Sequence, residues 1–433
     1  MSGNSVPVQI VVEPSDYAIR NSGDTAMLQV GLERLSERFP SARIVVFSDQ
    51  PETFPFRYDN VEPMETTGRR MFFDVSRSLA GRVGRDGHPR ILGTTLQKCW
   101  HRWPAALLRS AIISGQRLPW AAPVQTFLRV IRQANLLIVT GMGGITDVFP
   151  EYAEELLRVV RLAQRHGART AMFGQGLGPL EHPALRQLAR ATLSRLDLIA
   201  LREKRTGVAF CRAFGVSDQR IFVTGDDAIE LAARHRGIQV GAGVGVNVRA
   251  ATYSGVDRGS LGQLRSVLQA FARRAGAPLV PLPISRVPGE EDAHTIRALL
   301  AEWDPASDGG VAIDSPEKVL GQLRQCRVVV AGSYHAGVFA LSSGIPVVGL
   351  VRSRYYEDKF LGLADMFGEG CEVVHLGEPD VKTRLDEAIT RAWSSADRAR
   401  SHLIAAADRQ LADSRSAWRA PTAHSHFSRT VDS

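Results

Sequence analysis

Cysteine is scarce. Four residues in 433, Cys99, Cys211, Cys326 and Cys371, are too few and too far apart for a disulfide framework. None forms a Cys-x-x-Cys pair, so no zinc motif and no metal site is expected. They read as reduced thiols in a cytoplasmic protein. Lysine is nearly as rare, at positions 98, 204, 318, 359 and 382 only. Arginine therefore carries most of the 53 basic charges, which outnumber 45 acidic ones for a net +8. Guanidinium suits phosphate and carboxylate; GC-rich codons produce the same bias. The one long apolar run, 328–351, is broken by Gly332, Ser333, His335 and Gly344-Ile-Pro346. It reads as a buried strand, helix and strand rather than a membrane span. The N-terminus lacks a basic region and an apolar stretch, so no signal peptide is expected. No helix-turn-helix, zinc finger or RNA-binding signature accompanies the charge, so no nucleic acid partner is expected.

What is present is a globular composition, 44% hydrophobic and 23% charged, in a chain long enough for two or three domains. Short β-rich runs at 8–12, 43–48, 136–141, 169–173, 197–201 and 220–223 alternate with amphipathic stretches, the first opened by Asn21-Ser-Gly-Asp24. That is the pattern of a doubly wound parallel α/β sheet. A second series follows, with strands at 240–249, 278–283, 327–331 and 346–350 between helical segments. The expected organisation is an N-terminal α/β domain over 1–235, a C-terminal one over 236–413 and a flexible tail over 414–433. One segment breaks the alternation. Residues 75–132 hold ten Arg or Lys, the single carboxylate Asp86, and Trp100, Trp103 and Trp120. It reads either as a surface for an anionic membrane or lipid-linked diphosphate, or as an inserted, solvated basic face.

Ligands bind open α/β sheets at the carboxyl ends of the strands, and several chemical residues fall there. Gly141-Met-Gly143-Gly144 is a glycine turn able to approach an anion, or simply a structural turn. Asp147 either orients a hydroxyl and takes its proton or caps the next helix. Arg202 and Arg249 end strands, placed to clamp phosphate or carboxylate or to sit in ion pairs. Ser333-Tyr334-His335 is a polar trio inside an apolar run, costly unless used or satisfied. Its histidine serves as an acid or base near neutral pH or as a buried structural residue. Arg352, Arg354, Tyr355, Tyr356 and Lys359 follow the next strand, either closing over an anion or forming a solvated loop.

The series resembles the polysaccharide pyruvyltransferase family. The matching elements are Asn21-x-Gly-Asp24, Gly143-Gly144…Asp147-x-x-Pro150, Gly174-Gln-Gly176-x-Gly178-Pro179, Arg202-Glu203, Asp226-x-Ala228, Asn247-x-Arg249, His335 within Gly332-Ser-Tyr-His-Ala-Gly, Gly344-Ile-Pro346 and Lys359. The resemblance implies two Rossmann-like domains in a glycosyltransferase-B-like architecture with a ligand cleft between them. It implies transfer of pyruvate from phosphoenolpyruvate (PEP) onto two sugar hydroxyls of a polysaccharide or glycolipid, giving a cyclic ketal and phosphate. No cofactor beyond the donor PEP is implied. His335 is then the general acid and Asp147 the base. Arg202, Arg249, Lys359, Ser333, Gly143 and Gly144 hold PEP; Asn21, Asp24 and Gln175 lie on the acceptor side; Asp226, Arg352, Arg354 and Tyr334 are further candidates. The partners implied are PEP and a glycan or lipid-linked sugar; independently of the resemblance, the lack of a signal peptide and the basic aromatic segment 75–132 favour a cytoplasmic protein in peripheral contact with an anionic membrane. One departure stands out: the family commonly has Arg-Leu-His where this chain has Ser333-Tyr334-His335, so Arg352, Arg354 or Lys359 takes over the arginine's task or the donor is held differently. The competing expectations are a nucleotide-sugar glycosyltransferase, with Glu290-Glu291-Asp292 gripping a ribose, and a degenerate, non-catalytic homologue.

Overall fold

The computed structural model describes residues 8–85, 97–104, 106–107, 119–249 and 258–420. Valine, isoleucine and leucine dominate the short runs, and buried on both faces they form parallel strands. The first sheet holds β1 (Gln9–Glu13), β2 (Arg43–Ser48), β3 (Val61–Glu65), β4 (Leu136–Val139), β5 (Arg169–Gln175), β6 (Leu198–Leu201) and β7 (Ile221–Val223), in the order β3-β2-β1-β4-β5-β6-β7. The second holds β8 (Gly243–Asn247), β9 (Leu279–Pro281), β10 (Cys326–Ala331), β11 (Val347–Val351) and β12 (Cys371–His375), in the order β12-β11-β10-β8-β9. Every pairing is parallel. The expected pair of doubly wound sheets is what forms. β3, β12 and the helix Arg354–Phe367 add to the elements read from the sequence.

Strand order reverses between β1 and β4 in one sheet and between β8 and β10 in the other. Crossover helices leave on opposite faces at such a point, so a crevice opens beyond the strand ends. The segments carrying Asp24, Gly143, Arg249 and His335 all follow these four strands, Asp24 and His335 in the first turns of helices.

The C-terminal helix corrects the expected tail. It runs Val381–Arg419, through 414–419, on a stripe of small residues including Ala388, Ala392, Ala396, Ala399, Ala406 and Ala417 spaced for one face. Leu403 and Ala407 bury in the core against β10 and β11, whereas Trp418 stacks on Phe173 of the first sheet with centroids 3.7 Å apart. Residues 421–433 lie outside the described residues. The basic segment is corrected in part. Trp100 is 3% exposed, stacks on Phe72 at 5.4 Å and donates Nε1–H to its carbonyl at 3.0 Å. It is core, as are Val124, Phe127 and Ile131 of the helix Ala121–Gln133. Trp103 is exposed, and residues 86–96, 105 and 108–118 lie outside the described residues.

Candidate active site

Arg202 follows β6, is 3% exposed, and has few partners. Its guanidinium lies over the Tyr334 ring at 3.9 Å, and Nη1 is 3.9 Å from Asp226 Oδ2. Two glycines make room for it. A Cβ on Gly176 would meet Arg202 Nε at 2.7 Å, and one on Gly143 would meet Nη2 at 2.5 Å. Asp226 follows β7; its Oδ1 accepts the Ala228 amide at 2.9 Å, and its Oδ2 faces His335 Nε2 at 3.6 Å. Arg202 Nε, Asp226 Oδ2, His335 Nε2 and the Tyr334 hydroxyl are all buried and make no hydrogen bond among the described residues. Buried polar atoms are nearly always paired, because desolvation otherwise costs roughly 1–3 kcal/mol each. Such atoms gathered beside one buried arginine mark a site built to bind a polar group.

The sequence sets His335 by continuing β10 directly into the helix Tyr334–Ser342. Ser333 is its N-cap residue but gives no side-chain cap, and its own amide donates to Asn247 Oδ1 at 2.8 Å. First-turn amides lack intrahelical partners and carry the positive end of the helix dipole, which favours an anion. The opposite wall is the start of the helix Ser22–Arg38. Asn21 Oδ1 accepts the Gly23 and Asp24 amides, and Ser22 N–H donates to the Ile284 carbonyl at 2.9 Å, joining the two domains. Burial pushes the Asp24 carboxyl up to about 6, against the pull of His335 and Arg202.

Lys359 completes the cluster. Gly143 separates it from Arg202, its Cε 3.0 Å from the position of a Cβ there. Its Nζ sits 3.7 Å from the Tyr355 ring centroid, and the Tyr355 hydroxyl donates to the Gly143 carbonyl at 2.8 Å. Among the described residues no carboxylate forms an ion pair with Lys359. Burial holds its ammonium well below the usual lysine range, and Arg202 and Arg249 push it down further while Asp24 opposes them. Two cations facing one gap repel each other unless an anion fills it.

Other expected residues take structural positions. Arg249 is 7% exposed and engaged bidentately by Asp292, Nε–Oδ1 at 2.9 Å and Nη2–Oδ2 at 3.2 Å. Asp292 Oδ2 also accepts from Asn247 Nδ2 and from the Ile284 and Ser285 amides. Of the two readings of Arg249, anion clamp or ion pair, the structure shows the ion pair, buried and bracing the loop after β9. The same contacts remove Asp292 as a ribose grip. Asp147 turns its carboxylate to the Glu181 and His182 amides, ahead of the helix Pro183–Leu193. The helix that follows Asp147, Pro150–Arg165, has no side-chain cap, so the carboxylate neither caps it as expected nor faces the His335 cluster; it ties down the loop at 181–182. Gly144 packs against Met142 and Tyr152 rather than Arg202. Arg352 bonds Ser260 Oγ at 3.0 Å, and Arg354, 73% exposed, approaches Glu181 and Asp358. Of the three replacements considered for the family arginine, Lys359 is the one beside Arg202. Gln175 is fully buried and donates to the Phe173 carbonyl at 3.1 Å. Tyr355, expected from the sequence to close over an anion or lie in a solvated loop, sits one helical turn before Lys359 and ties that helix to Gly143.

The fold has known counterparts. A Listeria monocytogenes protein described as a UDP-N-acetylglucosamine 2-epimerase superposes with a TM-score of 0.56 at 12% identity, covering 98% of both chains. Os79 from O. sativa, solved in complex with UDP, gives 0.53 at 15% identity over 97% of this chain and all of that one. Anabaena Alr3699/HepE, also solved with UDP, gives 0.50 at 10% identity over 97% and 100%. The architecture is thus that of the glycosyltransferase-B enzymes and related epimerases. No curated protein matches the chain in sequence. The polysaccharide pyruvyl transferase family model matches residues 21–354, from the cap of the Asp24 helix to the loop preceding Lys359. The chain belongs to the polysaccharide pyruvyl transferase family.

Proposed function

We propose that the protein transfers the pyruvyl group of PEP onto two hydroxyls of a glycan or glycolipid sugar, forming a cyclic ketal and releasing phosphate. The observation that carries this reading is the pairing of Arg202 and Lys359 across Gly143, beside a histidine whose buried Nε2 faces Asp226 at 3.6 Å and makes no hydrogen bond among the described residues. PEP brings a phosphate and a carboxylate close together, and two cations answer them. His335 gives a proton to the methylene carbon, Asp226 holding the imidazole from 3.6 Å. The developing cationic carbon accepts a sugar hydroxyl, the C–O bond to phosphate breaks, and the second hydroxyl closes the ring. Of the two hydroxyl protons, one restores His335 and the other leaves with hydrogen phosphate. Asp24, rather than Asp147, is the carboxylate on the cleft wall near His335 and Arg202, and we place it as the base that takes the first hydroxyl proton and passes it to the departing phosphate, while the second hydroxyl proton restores His335.

A nucleotide-sugar transferase remains the competing reading, since Os79 and Alr3699/HepE were solved with UDP. The two separate on ligand. Saturating PEP should raise the melting temperature, because a ligand that binds only the native state stabilises by RT ln(1 + [L]/Kd). The shift should vanish in Arg202→Ala, and phosphate should be released when PEP and an acceptor glycan are present together. A shift with UDP-sugars and none with PEP overturns the proposal. PEP binding without turnover on any acceptor favours a degenerate homologue, with Ser333 the first position to revert to arginine.

A further inference from the structure

The N-terminal domain carries a second concentration of positive charge, away from the cleft. The helix Pro150–Arg165 begins beside the site, where Phe149 meets Tyr355 with ring centroids 5.9 Å apart. At 1.5 Å per residue its last turn lies roughly 20 Å farther on. Arg158, Arg161 and Arg165 recur there at spacings that share one face. With Phe72, His101, Leu162 and Leu188 they line a cavity of about 50 Å³. Arg102 and Arg195 lie near enough to repel them. Burial first, and then these like charges, hold the Arg161 and Arg165 guanidiniums below the usual arginine range. His101, held down to about 3 by burial and by Arg158 and Arg165, stays neutral beside them.

Little in the protein compensates this charge. Among the described residues the cluster's ion pair is Arg158 with Glu154 at 2.6 Å. Arg161 and Arg165 donate Nη1 to carbonyls, of Ala191 at 2.7 Å and His101 at 2.5 Å. Carbonyls satisfy hydrogen bonds without neutralising a cation. Next to the cluster, Trp103 is 58% exposed and Leu107, one turn on, is 38% exposed. The Arg102 guanidinium lies 5.9 Å from the Trp103 ring centroid. Exposed indole beside uncompensated guanidinium is the side-chain pairing of the bilayer headgroup zone, where one end meets acyl chains and the other meets phosphate.

We propose that Arg102, Arg158, Arg161, Arg165 and Arg195, with Trp103 and Leu107, form a surface that docks the protein on an anionic lipid bilayer. The guanidiniums take headgroup phosphates, and the two apolar side chains enter the interface. This surface touches none of the cleft residues, so docking and transfer fail independently.

The test sediments the full chain with vesicles of phosphatidylcholine alone, or with about 30% phosphatidylglycerol added, at low salt. The expected result is pelleting with the anionic vesicles only, reversed by salt. The variant R161Q/R165Q should partition roughly 30-fold more weakly, from about a fivefold loss per basic side chain at an anionic surface. W103S removes an exposed ring without changing charge, and should weaken partition while leaving the salt dependence unaltered. Both should turn over a water-soluble acceptor as the parent does. Absence of pelleting, equal pelleting with neutral vesicles, or unchanged partition of W103S together with R161Q/R165Q overturns the proposal. So does complete displacement from vesicles by a DNA duplex at equal phosphate concentration, which marks a general polyanion site.

Discussion

Gly23 lies so close to His335 that a Cβ on it would stand 1.9 Å from the imidazole Cγ and 2.2 Å from Nδ1. The acceptor-side helix thus backs directly onto the histidine of the other domain, and only a hydrogen fits between them. Gly23→Ala must displace the ring from Asp226. A shift of about 1 Å at a catalytic group can cost on the order of 100-fold. We expect kcat to fall by roughly that factor with the global fold kept, read by steady-state kinetics beside circular dichroism. Unchanged kcat would show that His335 is not the acid.

Lys359 should set an alkaline limit on donor binding. Its ammonium is held well below the usual lysine range by burial, then by Arg202 and Arg249. The charge is therefore present at low pH and lost on raising pH through that depressed value. KM for PEP should rise on the alkaline side in the parent protein. Lys359→Arg keeps its charge and should move that rise to higher pH. Lys359→Met should raise KM by roughly 10- to 100-fold at neutral pH, the worth of a hydrogen bond to a charged group.

Asp24 trades stability for its place on the cleft wall. Its carboxyl is pushed from an ordinary 3.8 up to about 6, by burial above all. Between those values the folded chain binds more protons than the unfolded one, so stability falls as pH rises through this window. Above it the ionised group costs up to about 3 kcal/mol. Asp24→Asn should therefore unfold at higher denaturant near pH 7.5 than the parent, lose its pH slope between about 4 and 6, and have little transferase activity.

Asp147 provides the opposite case. Its carboxylate accepts the Glu181 and His182 amides and ties down their loop. Asp147→Ala should cost roughly 1 kcal/mol of stability, as lost hydrogen bonds to a loop do, and change kcat less than about tenfold. A loss above about a thousandfold would return Asp147 to the role of base.

The strands and most helices were legible because burial on both faces of a parallel sheet demands continuous apolar runs, and these stand out between glycine turns. Arg202, Asp226, His335 and Lys359 were legible as residues following strands, in a family-like order. Their partners were not. Nothing in the spacing of Arg249 and Asp292, 43 positions apart, announces a bidentate pair. Likewise Arg352, Arg354 and Lys359 are equivalent as cations in sequence, yet one turn of helix puts Lys359 beside Gly143 while Arg354 stays in solvent. Local pattern by itself determined the element order, the two-sheet architecture and the chemical inventory at the strand ends, because each depends on near neighbours and on burial. Which carboxylate ties down a loop and which faces the histidine, and which cation remains without an ion pair among the described residues, was decided only by the tertiary structure. Charge pairing and desolvation depend on distances of a few ångströms between segments that the chain keeps far apart.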